Sequence, residues 1–163
     1  MDDSRDTRLA AAATEMGYSF EGEIKIGGNY VSVVQHADLA YVSGQIPRVG
    51  DEVVVTGGVG AEVSLPQAQV AARICAMRAL VLLRQHLGSL DRISQILRIT
   101  VFVQSAQDFT RQSEVADAAS GVLYAVLGAS GVHTRTSVGV AQLPKNASVE
   151  MDLIAAVAAD DGR

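Results

Sequence analysis

The sequence predicts an α+β domain, a sheet with two helices packed on one face. Three observations predict it. β-prone runs gather at both ends of the chain, two long helical patterns lie between them, and no linker or internal repeat divides the 163 residues. A chain of this length fits a single domain, residues 1–163, with 1–17 as an N-terminal helical extension. Hydrophobic residues make up 48% and charged residues 19%, the balance of a globular protein rather than a disordered one. Trp is absent and aromatics are 4%, so Val, Ile, Leu and Ala must fill the core.

The elements follow in order. Thr7 to Met16 is Ala-rich, with Leu9 and Met16 as apolar anchors, and reads as a short helix ended by Gly17. Tyr18 to Tyr30 is glycine-rich and reads as a first strand plus a loop. Val31–Gln35 and Leu39–Ser43 are β-prone runs around His36-Ala37-Asp38, the pattern of a hairpin. Val53–Thr56 is a further strand candidate, broken by Gly57-Gly58-Val59-Gly60.

Ser64 with Gln67 three residues on is a capping signature, and Pro66 is tolerated in a first turn. Val70, Ile74, Met77, Leu80, Val81 and Leu87 then recur at steps of three and four, predicting one long amphipathic helix stopped by Gly88. Ile96 to Val103 is the clearest strand. Strict alternation puts Leu97, Ile99, Val101 and Val103 on one face and Ile96, Arg98, Thr100 and Phe102 on the other. Asp108 is placed to cap a second helix running to Gly128, with Val115, Val122, Ala125 and Val126 as core contacts. Thr134–Val140 and Ser148–Val157 read as two final strands joined through Leu143-Pro144-Lys145-Asn146. Because the strand from Ile96 is apolar on both sides, a sheet face is expected to need cover from another subunit, which predicts a homo-oligomer.

Charge and residue usage narrow the function. A net charge of −5 and a pI near 5.1, with no Lys/Arg run, argue against a nucleic-acid surface. The lone Cys75 in an apolar helical stretch forms no intramolecular disulfide, and a reducing cytoplasm is the expected compartment. The acidic N-terminus has no apolar stretch behind it, so no signal peptide is expected. No run approaches the roughly 20 residues of a membrane span. His36, His86 and His133 lack ligand spacing, so no metal is expected. The Gly57–Gly60 stretch lacks both the dinucleotide fingerprint and a following Gly-Lys-Ser/Thr, and reads as a turn.

The chemistry-bearing candidates are Arg135 and Glu150. Arg135 lies in a strand pattern among Thr134, Thr136 and Ser137, where core residues would be expected. Its guanidinium offers a planar pair of donors matched to a carboxylate. Glu150 interrupts the last strand between Val149 and Met151, where burial would raise its pKa and suit it to carry a proton. Two readings stand: a carboxylate-binding acid–base site, or a structural ion pair between adjacent strands. Tyr30 can close over a pocket or simply pack, and Ser43 can donate to a ligand or serve a turn. His133 lies near enough to Arg135 in sequence to reach a cleft, and Cys75 reads as buried packing.

Several segments carry a resemblance. Gly28-Asn29-Tyr30 is followed by Tyr41-Val42-Ser43-Gly44-Gln45-Ile46-Pro47. Leu90-Asp91 leads to Val101-Phe102-Val103, and Asp108-Phe109 follows. Arg135-Thr136-Ser137-Val138-Gly139-Val140-Ala141-Gln142-Leu143-Pro144 ends in Val149-Glu150. In order and spacing these are similar to the RidA/YjgF family from Gly28 to Val157. The resemblance implies a chorismate-mutase-like fold, a homotrimer, and ligand clefts between subunits. It implies cofactor-free hydrolysis of reactive 2-enamine and 2-imine acids to 2-keto acids and ammonia. Arg135 would grip the substrate carboxylate, Glu150 would stand near the hydrolytic water, and Tyr30 and Ser43 would line the pocket. Ser137 stands where many deaminase members carry cysteine, and Asp117 where they carry asparagine. The N-terminal segment and the Arg48–Val63 connection are longer, which places the chain in a longer-chain branch. The expected partner is a small carboxylate-bearing metabolite, with neither nucleic acid nor membrane. The alternatives are a non-catalytic, metabolite-binding trimer and a ribonuclease, the latter disfavoured by the acidic charge.

Overall fold

A computed structural model describes residues 3–159. Helix α1 spans Arg5–Met16, and Ser4 caps it by accepting from the Thr7 backbone N–H. Strands β1 (Val33–His36) and β2 (Leu39–Gln45) form the first hairpin, and β3 (Arg48–Val49) with β4 (Glu52–Val53) a minor second one. Helix α2 runs Leu65–Leu87, followed by β5 (Ile93–Gln104), α3 (Gln112–Leu127), β6 (Thr134–Val140) and β7 (Val149–Val157).

The main sheet has the order β1-β2-β7-β5-β6 and is mixed: β5 and β6 run parallel while every other pair is antiparallel. Parallel neighbours need a crossover, and α3 supplies it between β5 and β6. Helices α2 and α3 lie on one face, and α1 packs outside them against both. Among the described residues the fold is α+β with three α-helices.

Helix α2 forms as its sequence dictates. Ser64 Oγ accepts from the Gln67 N–H at 3.3 Å, and Gln67 Oε1 accepts from the Ser64 N–H at 2.8 Å. Gly88 ends the helix with φ 85°, a conformation that costs glycine nothing. Ile74, Met77, Leu80 and Leu83 are fully buried in the same core as Ile99 and Val101 of β5 and Met151 and Leu153 of β7. Each such side chain contributes about 1.5–3 kcal/mol of transfer free energy. Cys75 sits in this layer with no exposure, its Sγ 3.8 Å from the Val149 carbonyl oxygen, and burial pushes its thiol pKa well up.

Several expectations need correction. Tyr18–Tyr30 contains no strand and runs as an irregular segment. Val54–Thr56 leaves the β3–β4 hairpin; the Val54 N–H donates to Pro47 O and Thr56 bridges to Ala147. Strict alternation fails in β5 because the ladder with β7 shifts register between Ile96 and Arg98. That bulge turns Ile96 into the core together with Ile99, and leaves Leu97 39% exposed. Asp108 does not cap α3, whose N-cap is Arg111 without a side-chain bond; Arg111 instead pairs with Glu114. Ala125 is exposed and Leu123 takes the core position. β6 and β7 are not neighbours, since β5 lies between them.

No described helix is long and apolar enough to cross a membrane. The sheet face away from the helices carries Val34 (52% exposed), Tyr41 (43%), Leu97 and Val138 (38%).

Candidate functional site

The candidate residues separate into two clusters on opposite faces of the sheet. Arg135 of β6 is in register with Ile99 of β5, which pairs with the buried Leu153 of β7, so it points to the helix side. Glu150 is in register with Phe102 and lies three residues from Leu153, on the other face. With β5 intervening, the two backbones stand at least about 9 Å apart across the sheet. The ion pair between adjacent strands that the sequence left open is therefore not formed. Arg135 pairs instead with Asp117 of α3.

The first cluster is built by α3. Ser113, Asp117 and Ser120 recur at i, i+4 and i+7, so they share one helix face, turned to the edge strand. Arg135 Nη1 donates to Asp117 Oδ1 at 2.8 Å and to Ser120 Oγ at 3.0 Å. Its Nη2 donates to Ser113 Oγ at 2.9 Å and more weakly to the Ser113 carbonyl at 3.3 Å. These contacts hold the guanidinium rigid with 20% of its side chain exposed, next to a carboxylate that is 66% exposed.

His133 extends the cluster. Its Nδ1 lies 2.6 Å from the Gly131 carbonyl, which can only accept, so that nitrogen carries a proton. Ser120 Oγ, which accepts from Arg135, then donates to His133 Nε2 at 2.9 Å in the neutral ring. The ring stacks on Tyr124 at a 5.4 Å centroid distance. Ser113 and Ser120 escaped the sequence reading, although their helical spacing around Asp117 carried the signal. Ser137, in register with Val101, lies on the same side of β6 as Arg135 and is half-buried.

The second cluster lies where β2 and β7 meet. The β2–β7 ladder shifts register between Val42 and Gln45, and this irregularity brings the Gly44 backbone against Glu150. A Cβ on Gly44 would stand 2.0 Å from Glu150 Oε1, so only glycine leaves the carboxylate its place. Desolvation raises the Glu150 pKa, and Asp152 adds like-charge repulsion.

A cleft of about 190 Å³ opens here, lined by Tyr30, Gly44, Arg48, Arg78, Lys145 and Glu150 among others. Tyr30 is 50% exposed, with its ring turned back onto Gly28. Ser43 stands beside the cleft; its N–H donates to Ser32 O at 2.9 Å, and its Oγ accepts from Gln45 Nε2 at 3.3 Å. Arg78 is 4% exposed and donates to Gln45 Oε1 (3.2 Å), Arg48 O (2.8 Å) and Lys25 O (3.0 Å). Burial lowers its pKa. Sequence reading passed over Arg48 and Arg78, since an arginine in an amphipathic helix or a turn normally reads as solvated.

Among the described residues no group of His, Cys, Asp and Glu is arranged to hold a metal ion. The arrangement offers chemistry without one: a rigid guanidinium for an anion, and a carboxylate of raised pKa beside a small cleft.

The comparisons with known proteins agree with this architecture. Protein TCP17 of Trypanosoma cruzi is 38% identical over 148 residues, covering 90% of this chain and 92% of that protein. The crystal structure of Atu1372 from Agrobacterium tumefaciens superimposes with a TM-score of 0.85 at 35% identity, over 95% of both chains. The YjgF gene product of E. coli shares the fold, with a TM-score of 0.59 at 24% identity over 79% of this chain and 88% of its own. The family model described as Endoribonuclease L-PSP matches residues 20–157, and the chain belongs to this RidA/YjgF/L-PSP family.

Proposed function

We propose that the protein hydrolyses reactive 2-imine and 2-enamine acids to 2-keto acids and ammonia, in clefts formed between copies of the chain in a homotrimer of chorismate-mutase-like fold. One observation carries the reading: a fixed anion-binding guanidinium and a carboxylate of raised pKa sit on opposite sheet faces of one chain. A single cleft uses both only if the Arg135 edge of one copy meets the Glu150 face of another. The apolar open face, with Val34, Tyr41, Leu97 and Val138, supports such a contact, because exposed apolar patches mark interaction surfaces.

The chemistry follows from the two groups. Arg135 holds the substrate carboxylate and so fixes the position of C2. Glu150 takes a proton from water as the water oxygen bonds to C2 of the protonated imine. The tetrahedral carbinolamine receives that proton on nitrogen. The C–N bond breaks, ammonia leaves, and the remaining hydroxyl proton is lost as the keto group forms. Tyr30 and Ser43 shape the pocket, and Ser137 and Asp117 set the surroundings of Arg135. No cofactor takes part in this sequence.

The test is a coupled assay that generates 2-imino acids from amino acids in situ, comparing the wild type with Arg135→Ala. Faster imine loss with the wild type alone supports the deaminase. Turnover undiminished in Arg135→Ala, with the oligomer intact, overturns it. The acidic net charge weighs against ribonuclease action despite the family's description.

A second reading, a non-catalytic trimer that binds a small carboxylate metabolite, rests on Ser137 and Asp117, which stand where many deaminase members carry cysteine and asparagine. In either reading a ligand must compete with the Asp117 carboxylate for Arg135. Calorimetric binding of a stable keto acid without any imine turnover supports this reading.

A further inference from the structure

The cleft beside Glu150 holds more positive charge than water activation needs. Arg48 is 9% exposed and its buried Nε has no hydrogen-bond partner. Arg78, 4% exposed, spends its donors on neutral oxygens, and no ion pair with either arginine is present among the described residues. Lys145 and Lys25 also line the cleft, and Lys25 is tied to Asp51, whose carboxylate also feels the charge of Arg48. Among the described residues, Glu150 is the one carboxylate that lines the cleft. Arg48 and Arg78 line the cleft together with Lys145, and guanidinium groups along a small cavity suit an anionic ligand. The part of the cleft contributed by one chain is about 190 Å³, below the roughly 300–1,000 Å³ of sites for drug-sized ligands, a size that suits a small metabolite.

From this convergence we infer that the cleft binds a second carboxylate, and that the preferred substrates are 2-imino acids with an acidic side chain. This rests on the deaminase reading for turnover, but not for binding. Arg135 of one copy takes the carboxylate next to the imine carbon, while Arg48, backed by Arg78 and Lys145, takes the distal one. The guanidinium is planar and pairs with a carboxylate through parallel N–H donors, a geometry an ammonium lacks.

The experiment is calorimetry on the full-length protein with 2-oxoglutarate, pyruvate and inorganic phosphate, on wild type, Arg48→Gln and Lys145→Gln. Lys145 sits on a surface turn, so its variant keeps the test open if Arg48→Gln misfolds. The expected result is that 2-oxoglutarate binds wild type at least tenfold more tightly than pyruvate. That ratio falls at least fivefold in the variants. Equal or weaker binding of 2-oxoglutarate overturns the inference, as does an unchanged ratio in both variants, or tighter binding of phosphate than of 2-oxoglutarate. Imine turnover is read separately. If no imine is hydrolysed the deaminase fails, and the calorimetry still decides the second carboxylate.

Discussion

Arg135 and Asp117 meet at 2.8 Å, with the arginine on the edge strand β6 and the aspartate on α3, the helix that carries the chain from β5 to β6. The crossover that makes the parallel pair thus also places the counter-ion on the guanidinium proposed to hold the substrate carboxylate. Both Nη atoms are engaged by α3, which leaves the guanidinium oriented but electrically offset.

Removing that offset should strengthen anion binding. Asp117→Asn keeps a hydrogen-bond acceptor for Arg135 while deleting the competing charge. Pyruvate affinity, measured by calorimetry at low salt, is expected to rise about two- to fivefold, the scale of an exposed ion pair. Raising ionic strength to about 1 M should shrink the difference.

On the proposed hydrolysis, in which Glu150 accepts the water proton, Glu150→Gln is expected to lower kcat by about 10²–10⁴-fold while keto-acid binding persists. In the wild type, activity should fall on the acid side as pH drops through a pKa above the ordinary 4.5. The stability effect runs the opposite way. A carboxyl raised on folding contributes stability that is present below pH 4.5, its ordinary value, and lost as pH rises through the native value. Glu150→Gln should therefore have the higher Tm at pH 7, with the gap closing towards pH 4. A lower Tm at neutral pH would contradict this.

Gly44→Ala tests the place reserved for Glu150. The added Cβ would lie 2.0 Å from Oε1, the end of a flexible side chain that swings aside at small cost. The expected outcome is at least a tenfold loss of kcat, with Tm shifted by only a few degrees. Thermal melting and the imine assay on one preparation check both halves.

Gly131→Ala should do the reverse. Its Cβ would meet the Leu123 carbonyl oxygen at 2.3 Å, a backbone atom of α3 that has nowhere to go. Destabilisation of about 1–3 kcal/mol is expected from the forced shift, read from urea unfolding. Because Gly131 O holds His133 Nδ1, carboxylate binding should weaken as well.

Much of this fold is legible in the sequence where local rules decide. The Ser64–Gln67 capping box, the Gly88 stop and the Thr134–Val140 strand stand where local pattern puts them. What local pattern cannot carry is strand order. β7 inserts between β2 and β5, and nothing in its own residues announces that. The separation of Arg135 from Glu150 follows from this insertion, so the sequence alone could not decide between an ion pair and two separate clusters. The bulge between Ile96 and Arg98 is lost for a related reason: a register shift is a property of two strands together. Asp108 fails as a cap because the chain runs on to Arg111 before turning helical, and a capping side chain counts only where the backbone turns.

The placement of Cys75 makes the natural protein its own reporter. The chain has a single thiol, sealed between α2 and β7 with no exposed area and with its pKa raised by burial. A thiol reagent can reach it only when the helix lifts from the sheet, so labelling kinetics time the opening of the core without an engineered probe. Ligands that lock the two layers together should slow that clock.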